Sequence, residues 1–157
     1  MKVLMVCLGN ICRSPLAEGI LRHKAIEQGL NWQIESAGTG AWHVGQAPDP
    51  RSQKVAKGHG IDISKQRAQQ FSPYHLEVFD KIFAMDSSNY QDIIRHAKTT
   101  AEKEKVSLIM NLVEPAMNKA VPDPYYDDSL YEVVYEMLNE ACEQIIANSD
   151  INRDESI

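Results

Sequence analysis

The chain is poor in cysteine, with three among 157 residues: Cys7, Cys12 and Cys142. So sparse and odd a set cannot staple a secreted domain through internal pairs, which excludes a disulfide framework and predicts reduced thiols in a cytoplasmic protein. Long apolar runs are lacking too. Nothing approaches the roughly 18 consecutive apolar residues of a membrane span. The opening run Val3 to Val6 soon meets Gly9 and Asn10 and is too short for a signal-peptide core. Positive charge is in deficit, 16 Lys and Arg against 22 Asp and Glu, giving a net charge of −6 and a pI near 5.3. An acidic chain is a poor general binder of nucleic acid or of an anionic membrane, so neither is expected as a partner. Glycine and proline, 8 and 7 residues, are too few for a collagen-like or low-complexity chain, and no internal repeat occurs.

What is present suits one globular domain of about 150 residues. Lys2 to Cys7 is a short apolar run that stops before Gly9, as a buried parallel strand does. Ser14-Pro15 then opens a helical stretch in which Leu16 and Ile20, and Ala17, Leu21 and Ala25, recur four apart until Gly29. Trp32 to Ser36, Lys81 to Met85 and Val106 to Leu112 supply three further strands, and Arg51 to Lys57 reads as a helix. Asp86 is placed to cap a helix containing Tyr90, Ile93 and Ile94. The last helix carries Leu130, Val134, Leu138, Ala141 and Ile145 on one face, with Ser129 and Glu132 spaced as a capping box and Cys142 as a buried thiol. Residues 1–147 are expected to form a single domain and 148–157 a frayed polar tail, while Lys98 to Lys105 reads as a solvated face. Alternating strands and helices predict an open parallel sheet of four strands with helices on both faces. Ligands bind such sheets at the carboxyl ends of the strands. Cys7, Ser36 and Asp86 fall at those ends, with Asp123 in the loop after the fourth strand.

The segment Cys7-Leu8-Gly9-Asn10-Ile11-Cys12-Arg13-Ser14 carries the strongest chemical signal. Leu8, Gly9, Asn10, Ile11 and Cys12 join a strand to a helix over a length that can curl until successive backbone N–H groups point inward as an anion nest. Gly9 and Asn10 sit where such a curl needs unusual dihedrals and are the residue types that tolerate them. The following helix aims its N-terminal dipole into the same cavity. The result is a cradle for a tetrahedral dianion. Arg13 can clamp two oxygens with its planar fork, and the positive surroundings favour the Cys7 thiolate as a nucleophile beneath the bound group. Ser14 is placed to donate its hydroxyl proton to that sulfur.

These residues make the chain resemble the low-molecular-weight protein tyrosine phosphatases. The similarity runs from Cys7-to-Pro15 through Ser36-Ala37-Gly38-Thr39, Pro48-Asp49, His59-Gly60-Ile61, Ala84-Met85-Asp86 and Asp123-Pro124-Tyr125-Tyr126. The resemblance implies a flavodoxin-like three-layer α/β sandwich, a cysteinyl-phosphate mechanism with no metal and no cofactor, and phosphotyrosine-containing proteins as substrates. It implies Cys7 as nucleophile, Arg13 as phosphate clamp and Asp123 as general acid and base. A carboxyl on a loop opposite the cradle can indeed give the departing oxygen its proton. By resemblance, Asn10 and Ser36 hydrogen-bond each other and hold the loop, and Trp42, Tyr125 and Tyr126 wall the substrate crevice. In the family, cysteines at the positions of Cys7 and Cys12 form a reversible disulfide, which implies a resolving role for Cys12; packing behind the cradle is the other reading. Many relatives have a loop-bracing histidine after His-Gly-Ile, where this chain has Gln66 and Gln69. Gln66 is expected to brace in its place, and His59 to be a structural contact.

Two other activities share the fold. Related arsenate reductases need further redox cysteines near the third strand, and residues 70–100 contain none. Relatives acting on phosphoarginine carry Thr where this chain has Ile11, whose aliphatic side chain suits a phenol ring better than a guanidinium.

Overall fold

The computed structural model describes the backbone of residues 1–155 and the side chains of residues 1–149. Four parallel strands, β1 (Lys2–Cys7), β2 (Gln33–Gly38), β3 (Lys81–Ala84) and β4 (Val106–Leu108), form one sheet in the order β2-β1-β3-β4. This is the flavodoxin-like order, with the topological switch between β1 and β3. Strand β1 is paired on both sides, from Lys2↔Gln33 to Cys7↔Gly38 and from Val3↔Lys81 to Val6↔Ala84. Both its faces are covered, which is why Val3 to Val6 could all be apolar.

Alternation along β1 divides the core. Val3, Met5 and Cys7 face helices α1 (Arg13–Glu27) and α6 (Leu130–Glu155), where Leu16, Ile20, Leu138 and Ile145 complete one apolar layer. Leu4 and Val6 face the other side, against Leu76, Phe79 and Ile93 of the segment holding α3 (Pro73–Val78) and α4 (Ser87–Ile94). Helix α2 (Pro50–Gly58) packs against α1 and α6, with Asp49 as its N-cap. A short surface helix, α5 (Thr100–Glu104), has no buried residue, in line with the solvated face expected there. No described helix is long and apolar enough to cross a membrane.

Beyond shifts of one or two residues at the ends of β2 and β3, the elements depart from the sequence reading in four places. The fourth strand ends at Leu108, and Ile109–Leu112 form a 3-10 turn instead of its second half. Ile109 and Met110 both enter the core beside α6, and a strand cannot put consecutive residues on one face. Helix α3 has no counterpart in the reading, since six residues are too few to show a helical period; Ser72 and His75 close its first turn instead. The capping box expected at α6 does not form, because the Ser129 hydroxyl donates to Asp127 and the Glu132 carboxylate takes His59. Finally, α6 continues past Asn148 to Glu155 through residues expected as a frayed tail, of which 156 and 157 lie outside the described residues.

Candidate functional site

Every strand of a parallel sheet ends on the same side, and β1 ends in Cys7. The next five residues curl back over the strand ends before α1 begins at Arg13. Asn10 makes the curl possible by taking φ of 55°, the left-handed region that a short polar side chain tolerates. Gly9, expected to share that role, does not enter the left-handed region. Its small size matters instead because a β-carbon there would sit 3.2 Å from the His43 ring. Gly38 has the stricter demand. A β-carbon would come within 2.8 Å of the Leu8 carbonyl oxygen, so only glycine lets the loop lie on β2.

A chain of directed hydrogen bonds holds the curl. The backbone N–H of Gln69 donates to Asn10 Oδ1 at 3.0 Å, which fixes which way the amide points. Asn10 Nδ2 then donates to Ser14 Oγ at 2.7 Å and to Ser36 Oγ at 2.9 Å. Ser36 passes its own proton to Glu18 at 2.7 Å. Because Ser14 Oγ already accepts from Asn10, its proton is free to point at Cys7 Sγ, 2.9 Å away. The Asn10 backbone N–H lies 3.3 Å from the same sulfur. Two hydrogen-bond contacts, from the Ser14 hydroxyl and the Asn10 N–H, thus converge on Cys7 Sγ.

Arg13 is 3% exposed, so its charge must be met inside the protein. Its Nη1 donates to Asp86 Oδ2 at 2.7 Å and to the Val121 carbonyl at 3.0 Å, and its Nη2 lies 3.9 Å from Asp123 Oδ2. Burial works against the charge, but the Cys7 sulfur and the Asp86 and Asp123 carboxylates outweigh it and raise the guanidinium above its usual range. Asp86 also caps α4 by accepting from the Asn89 N–H, so the capping role read from sequence is one of two.

Cys7, Leu8, Gly9, Ile11, Cys12, Arg13, Trp42, Asp123, Tyr125 and Tyr126 line one open cavity of about 250 Å³, together with His43. Asn10, Ser14 and Ser36 lie behind it. The Trp42 ring occupies the space where a side chain at residue 40 would sit, so Gly40 leaves room for it. Tyr125 and Tyr126 meet edge to face at 4.9 Å, with Tyr126 almost wholly exposed on the rim. Asp123 Oδ1 accepts the Tyr125 N–H at 3.1 Å, closing a turn at Asp123-Pro124, while Oδ2 faces Arg13.

Cys12 is buried, its sulfur 3.4 Å from the Tyr131 hydroxyl. Burial, only partly offset by that hydrogen bond, pushes its thiol up to about 11. Burial also pushes Cys142 up to about 12, far from any site, as a packing thiol should be. Gln66 donates to the Pro15 carbonyl at 3.1 Å and so braces the first turn of α1, whereas Gln69 holds Asn10 itself. His59 pairs with Glu132 at 2.6 Å and stacks on Tyr135, the structural contact expected of it. Sequence reasoning missed Glu18, Gln69, His43 and the ion pair of Asp86 with Arg13. Only the buried, unpatterned acid at Glu18, within an apolar helix face, gave any linear signal.

Fold and site together define an α/β protein with a cysteine at the floor of a cavity formed by the loop between β1 and α1. A family profile described as low molecular weight phosphotyrosine protein phosphatase matches residues 2–156, and the chain belongs to that family. A relative of that description from Schizosaccharomyces pombe is 47% identical over 131 residues, 82% of this chain and 83% of its own length. The human protein so described is 39% identical over 144 residues, 89% of this chain and 90% of its own. Among solved structures, a protein tyrosine phosphatase from Entamoeba histolytica with Hepes in its active site superposes with a TM-score of 0.90 at 33% identity, covering 98% of this chain and 99% of that one. A Drosophila arginine phosphatase is nearly as similar, with a TM-score of 0.88 at 33% identity over 95% and 98% of the two chains.

Proposed function

We propose that this enzyme hydrolyses phosphotyrosine in proteins, and aryl phosphates in general, through a cysteinyl phosphate on Cys7. The observation that carries the reading is the convergence on Cys7 Sγ of the Ser14 hydroxyl and the Asn10 N–H, beside Arg13 and across the cavity from Asp123. In the first step the sulfur attacks phosphorus, the S–P bond forms as the P–O bond to the phenol breaks, and the Asp123 carboxyl gives the departing oxygen its proton. In the second, the Asp123 carboxylate takes a proton from water, the resulting oxygen attacks phosphorus, and the S–P bond breaks to return the thiolate and release phosphate. The loop N–H groups and the Arg13 fork stabilise the equatorial oxygens in both steps. To make the fork free for phosphate, the ligand must share the guanidinium with Asp86.

Aromatic side chains at Trp42, Tyr125 and Tyr126 and the aliphatic Ile11 favour a flat phenol ring over a phosphorylated alcohol or guanidinium. Three buried thiols, none paired, suit a cytoplasmic enzyme. A panel of phosphotyrosyl, phosphoseryl and phosphoarginyl peptides of matched sequence tests the substrate class. The reading predicts the highest kcat/KM on phosphotyrosine; a preference for phosphoarginine would assign the chain to the activity named for its Drosophila neighbour.

A further inference from the structure

We propose that Arg51, which does not line the cavity, is a positioning residue that holds the Asp123 loop over the phosphate loop. The inference rests on the reading of Asp123 as general acid. Residues 122–129 have no regular structure of their own. Among the described residues, two hydrogen bonds tie this stretch to an element outside the helix it enters, and both come from Arg51. Its Nη1 donates to the Tyr125 carbonyl at 2.9 Å and to Asp128 Oδ1 at 2.6 Å.

Arg51 is itself fixed from behind. Nε and Nη2 reach Asp49 Oδ1 and Oδ2 at 3.0 and 2.9 Å, a two-pronged pairing that only a guanidinium makes. Those bonds hold the Asp49 carboxyl below its usual range against the opposing effect of its burial, so the pair stays ionised at working pH. Asp49 is tied in turn to the phosphate loop, because its backbone N–H donates to the Ile11 carbonyl at 2.8 Å. The guanidinium also lies against two rings, Tyr125 at 5.3 Å and Tyr131 at 4.9 Å, and Tyr131 is the residue whose hydroxyl meets Cys12.

The path to the acid is short. The peptide groups of Tyr125 are held on both sides, the N–H by Asp123 Oδ1 and the carbonyl by Arg51. Holding Tyr125 therefore holds the Asp123 carboxyl, leaving Oδ2 directed at the cavity. Without Arg51 the loop keeps its internal turn but loses its register against Cys7 and Arg13. A misplacement of about 1 Å costs a reacting group on the order of 10²-fold.

The test is kcat/KM, which reports the step that expels the phenol, for aryl phosphates over a range of leaving-group basicity, in wild type, Asp123→Asn, Arg51→Ala, Arg51→Lys, Asp128→Ala and the double variant Arg51→Ala with Asp123→Asn. Arg51→Ala and Arg51→Lys should lose about 10-fold to 10²-fold on poor leaving groups and less than about 2-fold on strongly activated ones. The double variant should be no slower than Asp123→Asn alone, since a residue acting through the acid has nothing left to position. Asp128→Ala removes one loop-side bond at a side chain that is 80% exposed, so it reports the same selectivity, with a smaller loss, even if Arg51→Ala does not fold. A uniform loss across leaving groups in the Arg51 and Asp128 variants, or additive losses in the double variant, would overturn the proposal while leaving Asp123 as the acid. If Asp123→Asn itself shows no dependence on leaving group, the acid reading falls and the positioning role with it.

Discussion

Three cysteines in one chain have three different environments, and the difference lies in what each sulfur touches. Cys7 receives two hydrogen-bond donors beside a buried guanidinium, Cys12 shares one hydrogen bond with a phenol, and Cys142 is sealed in the core. Arg13→Lys should reduce turnover by at least about 10²-fold, because an ammonium cannot keep the Asp86 contact and also grip two phosphate oxygens. Steady-state kinetics on an aryl phosphate check this, and near-normal rates would mean that the fork is not used. Cys12, pushed up to about 11, is a neutral thiol at pH 7 and therefore no rival nucleophile. It can still act second. If Cys12 has the resolving role that the family resemblance implies, peroxide oxidises the Cys7 sulfur to a sulfenic acid and the Cys12 thiol condenses with it, forming an S–S bond and releasing water. Wild type should regain activity with dithiothreitol after peroxide, whereas Cys12→Ser should recover poorly; equal recovery would leave Cys12 a packing residue. The phosphate loop was legible because its residues are contiguous from Cys7 to Ser14. Gln69, Arg51 and the contacts that Glu18 and Asp86 make were not, since each reaches the site from a different element and only the folded chain shows the contact.

Among the elements, the loop after the 3-10 turn matters most for chemistry and is the least regular. Asp123→Asn should lower kcat/KM for poor leaving groups by about 10² to 10⁴, the usual range for acid catalysis, and spare kcat/KM for activated phenols, which depart without a proton, while slowing kcat for all of them through loss of the base in the second step. The slope of log kcat/KM against leaving-group basicity measures the acid step directly, and an unchanged slope would make Asp123 a turn residue only. The regular elements that place the site were largely written in local pattern. The apolar run of β1, Pro15 at the start of α1 and the four-residue recurrence up to Gly29, which takes φ of 68° just past the helix, are all nearest-neighbour signals. Where patterns competed, the tertiary fold decided. Val106 to Leu112 looks like seven residues of strand, yet an edge strand with no neighbour beyond it gains little by continuing, while Ile109 and Met110 gain burial by turning into the core.

For the molecule as a whole, two buried titratable groups make stability depend on pH in opposite senses. His75 is packed between Phe71 and Phe79 and accepts the Ser72 N–H, and burial holds its imidazole below the ordinary histidine range. The unfolded chain protonates that ring near pH 6.5 while the native state resists. The unfolded state therefore binds more protons below that pH, and stability falls as the solution is acidified from there. Glu18 works the other way. Burial raises its carboxyl, so the native state holds the extra proton above the ordinary glutamate value and gains stability as pH falls through that window. Thermal unfolding of wild type and His75→Gln between pH 7 and 5 separates the two: the variant should lose less on acidification, and parallel curves would contradict a neutral buried His75.

The central claim is that phosphate passes through sulfur, and rapid acid quench during turnover of a ³²P-labelled aryl phosphate, followed by peptide mapping, tests it most directly. The account predicts a phosphorylated peptide bearing Cys7, formed within the first turnover, enriched in Asp123→Asn with an activated phenol, and absent in Cys7→Ser along with turnover. Label on another residue, or hydrolysis that persists in Cys7→Ser, would contradict it.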